Sequence, residues 1–101
     1  MSTITKKELI DRIAEKTHTK RLIVKPVIQF FLDEIIRELA KNNRLEFRDF
    51  GVFEPRLRAA RKARNPKTQE EVGVPVVRVV RFKVGRLMKL RVSPPKLEEN
   101  Q

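Results

Sequence analysis

The sequence predicts an α+β fold: two N-terminal helices, a three-stranded antiparallel sheet with a long protruding β-ribbon arm, and a short C-terminal helix. Three observations predict it. Apolar residues recur at helical spacing as far as about residue 41. From Leu45 they alternate with polar ones, which is the period of a half-buried strand. Charge is also unevenly divided. Residues 1–55 hold 11 basic and 9 acidic side chains, whereas residues 56–91 hold 12 basic and 2 acidic, Glu70 and Glu71. The first stretch reads as a folding unit. The second is too basic to enter a core and reads as a binding surface.

The first helix opens at Thr5-Lys6-Lys7-Glu8, a capping box with Thr5 as N-cap and Glu8 three residues on. Leu9, Ile10, Ile13 and Ala14 carry it to about Lys16. "THTK" is a turn, with Thr19 a candidate second N-cap and His18 exposed. The second helix runs from about Lys20 to Lys41. Val27, Ile28, Phe31, Leu32, Ile35, Ile36 and Leu39 form its stripe, and Phe30 widens it. So broad a stripe exceeds what one short helix covers, and points to burial against a second copy of the chain. Pro26 deletes a backbone bond. Either the helix kinks near Leu22, or it starts at Pro26 as its first residue. "KNN" ends it.

Leu45 and Phe47 alternate with Glu46 and Arg48 in the first strand. Asp49-Phe50-Gly51 is read as a tight turn, because Asp and Gly tolerate unusual backbone angles. Another strand starts at Val52. "NPKT" at 65–68 is a second turn. The valine-rich "EEVGVPVVRVVRF" follows as a strand, in which Gly73 and Pro75 favour a bulge or an edge. Gly85 opens the last helix, "RLMKLRV", and Ser93-Pro94-Pro95 stops it. Residues 93–101 are expected to be a disordered tail. An isolated two-stranded ribbon is marginal in water. The arm is therefore expected to project, and the small remaining core strengthens the inference of a dimer.

The chain carries 24 Lys+Arg against 13 Asp+Glu in 101 residues, a net charge of +11. That balance calls for a polyanion, since each phosphate neutralised releases counterions. Cysteine is absent, which removes disulfides, thiol nucleophiles and cysteine zinc sites. No metal-ligand cluster or serine–histidine arrangement is visible, and the carboxylates interleave with Lys and Arg as surface pairs. An enzyme, a cofactor, a metal and a small-molecule substrate are not expected. No apolar run reaches the ~18 residues of a membrane span, and no membrane partner is expected.

The blocks "TKKELIDRIAEK" (5–16), "DFGVF" (49–53), "RNPKT" (64–68) and the Phe82-x-x-Gly85 spacing resemble the HU and integration host factor family of bacterial histone-like DNA-bending proteins. The resemblance covers about residues 4–92. The C-terminal half, "RVVRFKVGRLMKLRV", is more similar to the integration host factor branch. The resemblance implies one DNA-binding domain over 1–92 with its arm at about 55–81, an intertwined dimer, and a cytoplasmic, nucleoid-associated place. The dimer would be a homodimer or would pair with a paralogous subunit. Its partner would be double-stranded DNA, gripped in the minor groove by two arms and bent by an intercalating proline. Minor-groove architectural proteins of this class, HU and integration host factor among them, insert apolar wedges between base steps.

On this reading Arg58, Arg61, Lys62, Arg64, Lys67, Arg78 and Arg81 reach phosphates and the groove floor. Arginine suits a narrow, electronegative minor groove. Pro66 is the wedge, rigid and apolar with no donor to strand, and Asn65 flanks it. Lys6, Arg48, Arg86 and Lys89 extend the surface onto the body, with helix N-termini near Thr5 and Gly85 as further phosphate holders. Phe31, Ile35, Leu39, Phe47, Phe50, Phe53 and Phe82 form the dimer core. Without the resemblance, Pro66 is as well explained as a turn former, and the body lysines and arginines as ordinary surface charge. Three departures stand out: Asp49, Ala63 and Gln69 replace glycines usual in the family. Gln69 takes positive φ at greater cost than glycine, which leaves the tip turn open. Proline is also rare in the family at position 26. The alternative function is an RNA-binding or ribosome-associated basic protein. RNA readers present exposed aromatics for stacking, whereas the phenylalanines here are expected in the core, and Tyr and Trp are absent.

Overall fold

The structure, a computed structural model, describes residues 1–94. The expected tail falls from residue 95 onward outside the described residues. Element order is α1 (Lys6–Lys16), α2 (Arg21–Ala40), β1 (Leu45–Phe47), β2 (Gly51–Arg58), β3 (Arg61–Arg64), β4 (Glu71–Val74), β5 (Val77–Val84) and α3 (Arg86–Val92). The chain divides into two compact units, one over Met1–Arg37 and one from Glu38.

In the first unit, Thr5 caps α1 as expected: its Oγ1 accepts the Glu8 N–H at 3.4 Å. The Glu8 carboxylate turns forward one helical turn to Arg12, at 2.7 Å. α1 ends in a Schellman motif. The Thr19 N–H donates to Ala14 O and the His18 N–H to Glu15 O, with His18 left-handed at φ 52° and exposed. This corrects one expectation. Thr19 is absorbed into the end of α1, its hydroxyl donates to Thr17 O, and α2 begins at Arg21 without it. The start of α2 is instead tied to α1 by Arg21 Nε–Asp11 Oδ1 at 2.6 Å. Ile10 and Val24 are the buried hydrophobics of this unit.

Pro26 lies inside α2, so the helix does not start there. The lost bond falls on the Leu22 carbonyl, one turn back. Leu22 belongs to the first turn and is 84% exposed, where water can take the missing donor's place. α2 ends in a second Schellman motif: Asn43 N–H to Glu38 O and Asn42 N–H to Leu39 O, with Asn42 left-handed.

In the second unit, β1-β2-β5 form one antiparallel sheet and β3-β4 a two-stranded one. β1 pairs with β2 only as far as Leu45↔Phe53. Beyond that point β2 and β5 continue alone to Arg58↔Val77. The ladder lapses over 59–60 and 75–76 and resumes at Arg61↔Val74. Three residues advance on each strand across the lapse, so register is kept and no bulge is inserted. Pro75, which has no N–H to give, sits in that gap.

The turn before β2 is shifted by one residue from the expectation. Phe50 N–H donates to Phe47 O at 3.0 Å, which makes Arg48 and Asp49 the central residues. Asp49 is left-handed at φ 66°. Gly51 is the first residue of β2 and is buried. Side chains alternate across a sheet, so Leu45, Phe47, Phe53 and Phe82 share one face. Four rings there close a circuit: Phe47–Phe50 at 6.2 Å, Phe50–Phe82 at 5.8 Å, Phe82–Phe53 at 4.7 Å and Phe53–Phe47 at 6.1 Å. Three of the four contacts are edge-to-face, the orientation that the ring quadrupoles favour.

Candidate nucleic-acid interface

Strand parity sorts the predicted basic residues. Arg58 and Arg81 lie on the sheet face opposite the phenylalanines, since Phe53↔Phe82 and Leu57↔Arg78 occupy the other face. Because register carries through the gap, Lys62 and Arg64 continue the face of Arg58. Arg61 and Arg78 fall on the apolar face. Arg78 is engaged there: its guanidinium donates to Ala40 O at 3.0 Å, a cation at the negative end of a helix. The predicted arm set is therefore two sets on two faces.

Two cations missed in the sequence share the Arg58 face, Arg56 and Lys83. Counting by twos back from Arg58 and on from Arg81 finds both. They stand with Arg44 around Glu54, at 3.9, 3.8 and 4.0 Å respectively. These are ion-pair distances, and Glu54 Oε2 is buried without a hydrogen-bond partner. Farther out, Lys62 Nζ is 3.9 Å from Glu71. Exposed pairs of this kind hold their cations weakly and leave them open to exchange for phosphate.

The tip is built by hydrogen bonds. Asn65 N–H donates to Glu70 O at 2.8 Å and Gln69 N–H to Asn65 O at 2.7 Å. Asn65 Oδ1 accepts the Lys67 N–H at 2.9 Å. Arg64 donates to Gln69 O, and Thr68 Oγ1 accepts the Glu70 N–H. Gln69 is left-handed at φ 62°, so it adopts the conformation glycine would give, and its Nε2 donates to Pro66 O at 3.2 Å. Ala63 pairs with Val72 in the ladder and makes no such demand. Pro66 and Lys67 are exposed and Asn65 half-buried.

The predicted body residues are more scattered. Lys6 belongs to the helical unit, where its Nζ donates to Gln29 Oε1 and Gln29 Nε2 donates in turn to Asp33. Arg48 is exposed in the turn before β2, and Arg86 and Lys89 are exposed on α3. The turn and α3 are joined through Asp49, whose carbonyl accepts the N–H groups of Leu87 and Met88 at 3.0 and 3.2 Å. Those bonds take the N–H groups of Leu87 and Met88 away from the phosphate site expected at the start of α3. Gly85 permits the contact. A Cβ there would stand 2.6 Å from Phe50 C and 2.7 Å from Asp49 C.

Of the predicted dimer core, Leu39 is buried. Ile35, Phe47 and Phe53 are intermediate, while Phe31, Phe50 and Phe82 are 51%, 49% and 37% exposed. Among the described residues, no group of three or more His, Cys, Asp or Glu side chains is placed to hold a metal ion, and no helix is long and apolar enough to cross a membrane.

A family described as bacterial DNA-binding protein matches residues 4–93. DNA-binding protein HU of Thermotoga maritima is 42% identical over 90 residues, covering 89% of this chain and all of that one. Integration host factor subunit alpha of Haemophilus influenzae is 38% identical over 96 residues, 95% of this chain and all of the relative. The chain in an Anabaena HU–DNA cocrystal structure is similar with a TM-score of 0.84 at 37% identity, over 91% of this chain and 100% of that chain. Both branches thus match at comparable identity. With a basic ribbon, a proline tip and relatives of this kind along nearly its whole length, the chain belongs to the bacterial DNA-binding protein family of HU and integration host factor.

Proposed function

We propose that this DNA-binding protein acts as a dimer that grips the minor groove with two arms and bends the duplex by inserting Pro66 into a base step, thereby organising bacterial DNA in the nucleoid. Residues 1–92 would form its single DNA-binding domain. The observation that carries the proposal is the position of Pro66. It is exposed at the end of a ribbon whose one face bears Arg58, Lys62, Arg64 and Arg81. Those cations, with Asn65 and Lys67 at the tip, bring the wedge to the groove. Unstacking a step costs a few kcal/mol, offset by the contacts that bent DNA makes. Arg61 and Arg78 contribute from the apolar face, and Arg48, Lys6, Arg86 and Lys89 from the body.

A second copy of the chain is the natural cover for the apolar side chains that one chain leaves open. Val27, Phe30 and Ile36 of α2 are 61%, 68% and 66% exposed, and Phe50 and Phe82 are as described above. The name of the Haemophilus influenzae relative, a subunit, also supports assembly from more than one chain.

End-to-end energy transfer on a short labelled duplex tests the wedge. Pro66→Ala should reduce the bend far more than the affinity, which rests mainly on phosphate contacts. An unchanged bend removes the wedge role.

A further inference from the structure

We propose that Gln69 is a positioning residue that locks the arm tip and sets the direction in which Pro66 points; this rests on reading Pro66 as the wedge. Proline has no N–H, so its carbonyl is the one backbone polar group through which the tip can hold it. Two peptide planes flank the ring. The plane before it carries the Asn65 carbonyl, which accepts the Gln69 N–H at 2.7 Å. The plane after it carries the Pro66 carbonyl, which accepts Gln69 Nε2 at 3.2 Å. One residue therefore clamps both planes, with its main chain on one and its side chain on the other. The Lys67 N–H, on the second plane, is held from the opposite side by Asn65 Oδ1.

Glycine at this position would keep the first bond and lose the second. Gln69 instead bears the steric cost of a left-handed φ of 62°, which glycine escapes. The compensation for that cost is the side-chain bond. The consequence is a tip whose wedge is oriented before DNA arrives, so that less ordering remains to be done on binding.

The test uses the full chain with Gln69→Gly, which removes the side chain, and Gln69→Met, which keeps its length and neutrality without a donor. Nitrogen relaxation of the free protein reads the tip amides of Lys67 and Thr68. In both variants their order parameters should fall below the wild type's. On a short labelled duplex, the energy-transfer distribution should broaden in both variants. Affinity should stay within about threefold, because the cations of the arm are untouched. Order parameters that match the wild type in both variants overturn the lock. A distribution as narrow as the wild type's, with loosened tips, overturns the positioning role. Failure of the wedge reading is seen separately, as an unchanged bend in Pro66→Ala.

Discussion

The ring of Phe82 lies across Gly51, so closely that a Cβ on Gly51 would stand 2.5 Å from Phe82 Cε1 and 2.7 Å from Lys83 O. Gly51 has no positive φ. It is glycine because an aromatic ring occupies the space of a side chain. Gly51→Ala is expected to push Phe82 out of the four-ring circuit and lower stability by about 1–3 kcal/mol, the cost of overpacking. Urea denaturation measures this. A midpoint equal to the wild type's would show that the ring gives way freely.

Arg78 and Arg81 are three residues apart and on opposite faces. Arg78→Ala removes the hydrogen bond to Ala40 O, and should lower stability by about 1 kcal/mol. Arg81→Ala should leave stability nearly unchanged and reduce the salt slope of DNA binding by about 1. Paired denaturation and salt titrations separate the two. An equal loss of stability in both variants would contradict the division by face.

Asp49 takes a left-handed conformation that costs an ordinary L residue about 1–2 kcal/mol. Asp49→Ala should therefore destabilise the protein by about 1 kcal/mol, whereas Asp49→Gly should be at least as stable as the wild type. Thermal unfolding of the two variants side by side decides the matter. Two equal losses would place the importance of Asp49 in its carboxylate.

If two chains share the apolar surface of α2 and the sheet, the thermal midpoint rises with protein concentration, since association stabilises the folded state by mass action. Sedimentation should give twice the mass of one chain. A midpoint independent of concentration together with the mass of a single chain would exclude the dimer. Substituting Phe30, which is 68% exposed in one chain, by Ala should lower that midpoint further at low concentration.

Much of the fold was legible because local rules and tertiary needs agree. Thr5 caps α1, the period changes at Leu45, and the Asp49 and "NPKT" turns fall where their residue types allow. Other features depend on partners distant in sequence. Thr19 looks like a cap, but the Schellman end of α1 claims it. Pro26 looks like a helix start, but its missing bond falls where solvent reaches. None of the three glycines has a positive φ, and the left-handed residues among those described are His18, Asn42, Asp49 and Gln69. Reading glycines as the flexible points therefore misplaces the turns by a residue or more. The candidate site was legible as a list of cations, and parity turned that list into faces. The use of α3's N–H groups by Asp49 O could not be read from the chain, because it depends on the close approach at Gly85.

The lapse in the ladder at 59–60 and 75–76 has a mechanical meaning. Hydrogen bonds resist both sliding and flexing of paired strands. Where they are missing for two residues on each side, flexing becomes easy. Sliding does not, because the ladders on either side of the gap keep the same pairing. The arm thus has a wrist: the outer ribbon can swing against the inner one while Lys62 and Arg64 stay in step with Arg58 and Arg81.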